Sequence, residues 1–294
     1  MFFIVGSARS GTTLIRIIFN AHSAIAVPPE SRFVVELYEG AEEIEVDGLL
    51  VSLAAHKRFQ AWDLPIEAIR EGIEGPRAAY ADIMEAAYRA YARARGKSCW
   101  GDKTPRYIEN LPLLANLFPH ALFIHIVRDG RNVALSYSEV PFGPKTVAKA
   151  AALWGGRVSK GLEAGRALGP DRYIEVTYED FVVAPEPHLR RLCDFIDVEF
   201  EPGMLDYKET ASDEILGRAA RYNPLVRERP RAEVRAWKDQ MSPQQVEIFE
   251  AVAGDVLSEL GYERLYPAPG ARARVVAALA RAGLPVGRLK HLTR

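Results

Sequence analysis

The chain reads as an α/β protein built in three layers, with a mainly parallel central sheet and a helical insertion. Three observations predict this: short apolar runs that fit buried strands, helical patterning between those runs, and connections long enough to be crossovers. At 294 residues, 48% of them apolar and 26% charged, the chain has material for one large core. We read a single domain over residues 1–270, followed by a basic helical tail over 271–294.

Phe2, Phe3, Ile4 and Val5 form a continuous apolar run closed by Gly6, the pattern of a strand buried on both faces. From Thr12, the positions Leu14, Ile15, Ile17, Ile18 and Phe19 suit a helix packed on a sheet, and the run stops at Asn20, Ala21, His22 and Ser23. Residues 41–97 are rich in alanine and alternate acidic with basic side chains. The spacing of Ala79, Ile83, Ala87 and Tyr91 marks this stretch as the helical insertion. A strand is expected at 98–101, a helix at 108–117, and a strong strand at 121–127 with a helix from Gly130. A long helix follows at 145–167, then a strand at 173–176, and helices at 188–196 and 244–260. The stretch 212–232 differs, carrying Arg218, Arg221, Arg227, Arg229 and Arg231 with little periodicity. The tail has six Lys or Arg residues and no acid, with Val275, Val276, Leu279 and Leu284 on one apolar side. No internal repeat is present.

A formal net charge of -1 supplies no broad field for gripping nucleic acid, so anion binding must be local. Cys99 and Cys193 lack the paired spacing of a metal site or disulfide framework. The opening apolar run is too short for a signal-peptide core, and no later run approaches the ~18 apolar residues of a membrane span. A cytoplasmic location is expected, with the oligomeric state open.

The segment Gly6, Ser7, Ala8, Arg9, Ser10, Gly11, Thr12, Thr13 keeps the two-glycine spacing of a phosphate-cradling loop, between a strand and a helix. Such a placement predicts a P-loop-type fold. Glycines let the backbone turn tightly, while the amides and dipole of the helix beginning at Thr12 favour an anion. Where a triphosphate-binding loop has its lysine, this chain has Thr12, and Arg9 stands inside the loop instead. That exchange favours a nucleotide with a shorter 5'-chain.

A second group starts on the strand Phe123 to Val127 and runs into Arg128, Asp129, Gly130 and Arg131, reaching Ser136 through a helix. Arg128 lies at a strand's carboxyl end, where open parallel sheets bind ligands, and Ser136 is placed to add a hydroxyl to the same anion. On this segment alone, a salt-bridged helix start explains Arg128 and Asp129 equally well.

Together these residues resemble the sulfotransferases that use 3'-phosphoadenosine 5'-phosphosulfate (PAPS). Arg9, Ser10, Gly11, Thr12, Thr13 and Leu14 resemble that family's 5'-phosphosulfate site. Val127 to Arg131 with Ser136 resembles its 3'-phosphate site. The chain is more similar to the tyrosylprotein branch and its bacterial small-molecule relatives than to the cytosolic phenol and steroid branch. Ala21 and His22, the run Glu30, Ser31, Arg32, the run Asp102, Lys103, Thr104, Pro105, and the pair Tyr178, Glu179 carry that likeness. It continues through Arg235, Ala236, Trp237, Lys238 to Leu260, Gly261 and Tyr262.

The resemblance implies a metal-independent enzyme that moves the sulfuryl group of PAPS to a hydroxyl acceptor and releases 3',5'-adenosine bisphosphate (PAP). Arg9 and Lys103 would steady charge on the leaving phosphate, and Tyr178 would contact the nucleotide. Glu30 is the candidate general base, delivered by the stiff Pro28, Pro29 lead-in. The cytosolic branch uses histidine, but neither His22 nor His125 sits in its motif. Arg227 and Arg231 are candidates for a further 3'-phosphate contact, from a stretch where the likeness fades. Tyrosyl peptides, natural-product alcohols and carbohydrate hydroxyls all remain open as acceptors. Two other readings stand beside this one. The first is a P-loop ATP-dependent phosphotransferase with Asp129 on the metal side. The second is a non-catalytic nucleotide-binding module whose basic tail docks on a partner or membrane surface.

Overall fold

A computed structural model describes residues 1–210 and 236–284 of the chain. Arg227, Arg231 and their neighbouring arginines, like the tail from 285 on, lie outside the described residues. The strands among the described residues are β1 (Phe2–Gly6), β2 (Ile25–Ala26), β3 (Glu43–Glu45), β4 (Arg77–Ala79), β5 (Cys99–Lys103), β6 (Leu122–Val127) and β7 (Tyr173–Thr177). Five of them make one sheet in the order β2-β5-β1-β6-β7, and every pairing in it is parallel. The remaining two, β3 and β4, form a separate antiparallel pair.

The strand β1 sits in the middle of the sheet, and all five of its residues are buried. Alternating side chains serve opposite layers, as the two-residue period of a strand requires. Phe2, Ile4, Ile124, Ile126, Ile174 and Val176 pack with helices Thr12–Ala21 and Pro185–Phe195. On the opposite face Phe3, Val5 and Phe123 join a core that includes helix Tyr80–Arg93 of the insertion. Helices Gly130–Ser138, Val147–Leu168, Pro243–Glu259 and Ala271–Arg281 share a further apolar cluster.

Register decides what meets at the carboxyl edge of the sheet. Lys103 ends β5 opposite Ile4 of β1, and Gly6 ends β1 opposite Ile126 of β6. Neighbouring strands lie about 4.8 Å apart, so Lys103, the loop after Gly6 and Arg128 leave the sheet side by side.

Several elements depart from the sequence reading. The fifth strand runs to Lys103 rather than stopping at Gly101, because its parallel pairing with β1 continues that far. The two-residue edge strand β2 is too short to leave a periodic signal. The insertion contains the β3–β4 pair as well as helices, so Ala79 closes a strand and the helix face starts with Ile83, Ala87 and Tyr91. The helix expected at 108–117 divides into a 3-10 turn, Pro105–Asn110, and helix Leu111–Leu117. Pro112 cannot donate the amide that would join them. In the tail, the buried stripe is Ala273, Val276, Ala277 and Ala280, whereas Val275 is exposed. Among the described residues, no helix is long and apolar enough to cross a membrane.

Candidate functional site

The loop between β1 and the first helix is shaped by close approach. A side chain at Gly6 would place its Cβ 2.6 Å from the Ile126 carbonyl oxygen, and one at Gly11 would strike the Tyr178 ring. Gly11 also has φ +97, a value that favours glycine, while Arg9 takes φ +75 despite its side chain. The turn closes through Ser10 N–H donating to the Ser7 carbonyl at 3.2 Å. No side chain caps the helix that starts at Thr12. The hydroxyls of Ser7 and Ser10 are buried, without a hydrogen-bond partner among the described residues. Buried polar groups are normally satisfied, so two such hydroxyls beside an uncapped helix start suit an anionic group.

Arg128 and Ser136 stand against this loop. Arg9 Nε donates to Ser136 Oγ at 2.8 Å, and Arg128 donates to the Arg9 carbonyl at 3.4 Å. The Arg128 guanidinium lies 4.4 Å from the centre of the Tyr178 ring. Thus Arg9, Ser10, Gly11, Thr12, Thr13, Arg128, Ser136 and Tyr178 gather at one edge of the sheet. Trp154 Nε1 donates to the Arg128 carbonyl at 3.1 Å and steadies the strand end from the long helix.

Asp129 serves the framework. Its carboxylate accepts from Arg131 Nε at 3.0 Å and from a terminal Arg131 nitrogen at 2.8 Å, so both oxygens are engaged. Arg131 also donates to Glu250 at 2.8 Å and lies 3.6 Å from the centre of the Trp237 ring. Glu179 receives the Asp129 amide at 3.1 Å and the Tyr262 hydroxyl at 3.0 Å. Burial raises the pKa of the Glu179 carboxyl. An Asp129 carboxylate so committed is poorly placed to hold a metal ion, the role it has in the phosphotransferase reading.

Across β1 from Arg128, Lys103 Nζ donates to Glu30 Oε1 at 2.8 Å. Lys103 is buried and Glu30 half-buried. Burial alone pushes the Glu30 carboxyl up, but Lys103, Arg58 and Arg32 outweigh it and hold the pKa below the ordinary 4.5. The same segment is tied to the end of β5. Ser31 N–H donates to Thr104 Oγ1 at 3.0 Å, and the Ser31 hydroxyl meets the Tyr107 hydroxyl at 2.6 Å. Tyr88 donates to the fully buried Asp102 at 2.9 Å, and burial raises the Asp102 pKa to about 6.

The two histidines belong to the framework. His22 Nε2 donates to the Glu199 carbonyl at 2.7 Å, a role fixed by its Nδ1 accepting the Ala24 amide at 3.0 Å. His125 meets the Tyr173 hydroxyl at 2.5 Å, and burial lowers its pKa to about 3. Sequence reading missed Arg58, whose terminal nitrogen stands 4.0 Å from Glu30 Oε2. Nothing in its local pattern announces it, because the contact joins the insertion to the segment that precedes it.

Comparison with known proteins identifies the family and the fold. A model described as the sulfotransferase family matches residues 2–202. A protein-tyrosine sulfotransferase of Drosophila melanogaster is 25% identical over 71% of this chain, which spans 40% of the fly protein. Nodulation protein NoeE of Sinorhizobium fredii is 26% identical over 89% of the chain, which spans 66% of that protein. Among solved structures, the sulfotransferase domain of the Synechococcus PCC 7002 olefin synthase superposes with a TM-score of 0.62 at 23% identity, covering 90% of this chain and 94% of that one. The sulfotransferase domain of the curacin biosynthetic pathway gives 0.61 at 20%, covering 90% and 98%. At these identities the structural matches establish the fold.

Proposed function

The chain belongs to the sulfotransferase family, and on that premise we propose that it moves a sulfuryl group from PAPS to a hydroxyl acceptor and releases PAP. One observation carries the choice of donor: Arg9 of the phosphate-type loop bonds Ser136 of the second anion group, so one nucleotide can touch both. The loop would hold the 5'-phosphosulfate through its amides, Ser7, Ser10, Thr12 and Thr13, while Arg128 and Ser136 hold the 3'-phosphate. The names of the fly and rhizobial relatives leave open whether the acceptor is a tyrosyl peptide, a carbohydrate or another alcohol. A hydroxyl acceptor is common to these readings.

In the step itself, the acceptor oxygen forms a bond to sulfur as the bond from sulfur to the bridging phosphate oxygen breaks. The acceptor's proton passes to Glu30, and the electron pair of the broken bond stays on PAP. Glu30 is half-buried and its lowered pKa keeps it a carboxylate at neutral pH. Pairing with Lys103 weakens it as a base, so it takes the proton as bond formation to sulfur makes the acceptor hydroxyl acidic. Lys103 and Arg9 supply positive charge toward the leaving phosphate, whose negative charge grows as the bond breaks. PAPS has no triphosphate for a divalent ion to bridge, so these side chains suffice for charge neutralisation in this reading.

Calorimetric titration with PAP and with ATP, each with and without Mg2+, tests the donor. We expect tight binding of PAP that Mg2+ does not alter. Preferential binding of Mg-ATP would instead favour the phosphotransferase.

A further inference from the structure

The helical insertion does more than stand beside the site, because two of its aromatic side chains bond the residues immediately before Glu30 and Lys103. Trp62 Nε1 donates to the Pro29 carbonyl at 2.8 Å, immediately before Glu30. The Trp62 ring also packs on Phe33 and Tyr88, with centroids 5.1 Å and 4.9 Å away. The Tyr88 hydroxyl holds Asp102, immediately before Lys103, at 2.9 Å. Tyr80 donates to the Val34 carbonyl at 2.9 Å, beyond the left-handed turn at Arg32, which has φ +51. Ser31 and Thr104, the residues that follow Glu30 and Lys103, bond each other at 3.0 Å. Each member of the pair is therefore anchored at the residue before it and the residue after it.

We propose that Trp62 and Tyr88 are positioning residues: from the insertion, they set Glu30 against Lys103 for sulfuryl transfer. Neither side chain needs to touch a substrate. Trp62 fixes the entry to Glu30, Tyr88 fixes the entry to Lys103, and the contact between the two rings makes these a single support. Misplacement by about 1 Å at a reacting centre costs on the order of a hundredfold in rate, which is the scale on which such a support matters.

The inference rests on reading Glu30 and Lys103 as the transfer pair, so the test measures their placement and not turnover. Trp62→Phe keeps a ring and deletes the N–H, and Tyr88→Phe deletes one hydroxyl. Carbon-13 NMR of the Glu30 carboxyl follows its titration in the full chain, and the amide resonances of β6 and β7, which β1 separates from β5, report whether the sheet stays intact. In both variants Glu30 is expected to titrate about one pH unit higher as Lys103 draws away, with the β6 and β7 amide resonances unmoved. An unmoved Glu30 titration in both variants overturns the proposal. So does a shift accompanied by displaced β6 and β7 amide resonances, since the substitutions would then have disturbed the fold in general. Neither result depends on whether Glu30 takes the acceptor's proton, which Glu30→Gln turnover addresses separately.

Discussion

Arg9 and Ser136, separated by 127 residues, are joined by a hydrogen bond of 2.8 Å from guanidinium to hydroxyl. This contact couples the turn after β1 to the helix after β6. It brings to a single edge of the sheet two segments that would otherwise be unrelated helix starts.

Removing one end of that edge is expected to weaken the nucleotide complex. Ser136→Ala should lower PAP affinity about tenfold and Arg128→Ala about a hundredfold, since hydrogen bonds to charged groups contribute roughly 1.5–3 kcal/mol. Titration calorimetry reads both values. Wild-type affinity in the two variants would remove these residues from the nucleotide site.

Glu30→Gln keeps the shape of the side chain and deletes its basicity. Turnover is expected to fall about 10²- to 10⁴-fold while PAP binding persists, the usual scale for loss of a general base. The sign of the pH effect follows from the lowered Glu30 pKa. Its carboxylate is present through neutral pH, and the rate assigned to it declines only as the pH falls through a value below 4.5. Its stabilising pairing with Lys103 is likewise present above the ordinary carboxylate value and lost on acidification. A rate profile of labelled PAPS consumption with an active acceptor checks this, and an undiminished rate in Glu30→Gln would assign the proton to another group.

Asp102 has the opposite sign. Its folded pKa is about 6 against an ordinary 3.8, so the folded protein holds a proton in that window that the unfolded chain has released. The associated stability is fully present below about 3.8 and is lost as the pH rises through about 6. Asp102→Asn should flatten this slope and gain up to about 3 kcal/mol at neutral pH, less any weakening of the Tyr88 bond. Denaturant unfolding at pH 4 and pH 7 compares the two proteins, and equal pH dependence would contradict the assignment.

The residues that could be read without a structure are those whose chemistry is set by neighbours in the chain. The strand, glycine loop and helix over residues 2–21 is one example, because apolar runs and paired glycines act over a few bonds. Arg128 and Ser136 are another, since a strand end followed by a helix places them on one edge. Glu30 and Lys103 stand in the sequence as separate candidates. Their ion pair could not be read, because it depends on β5 inserting beside β1.

Local order along the chain was enough for the α/β class, the phosphate-type loop and the family likeness, since each rests on short-range spacing. Folding added the join between Arg9 and Ser136, the charged surroundings of Glu30 that include Arg58, and the Trp62 and Tyr88 support drawn from the insertion. Those contacts bridge residues far apart in sequence. They form only when burial of the shared apolar faces brings the layers together, so no local pattern records them.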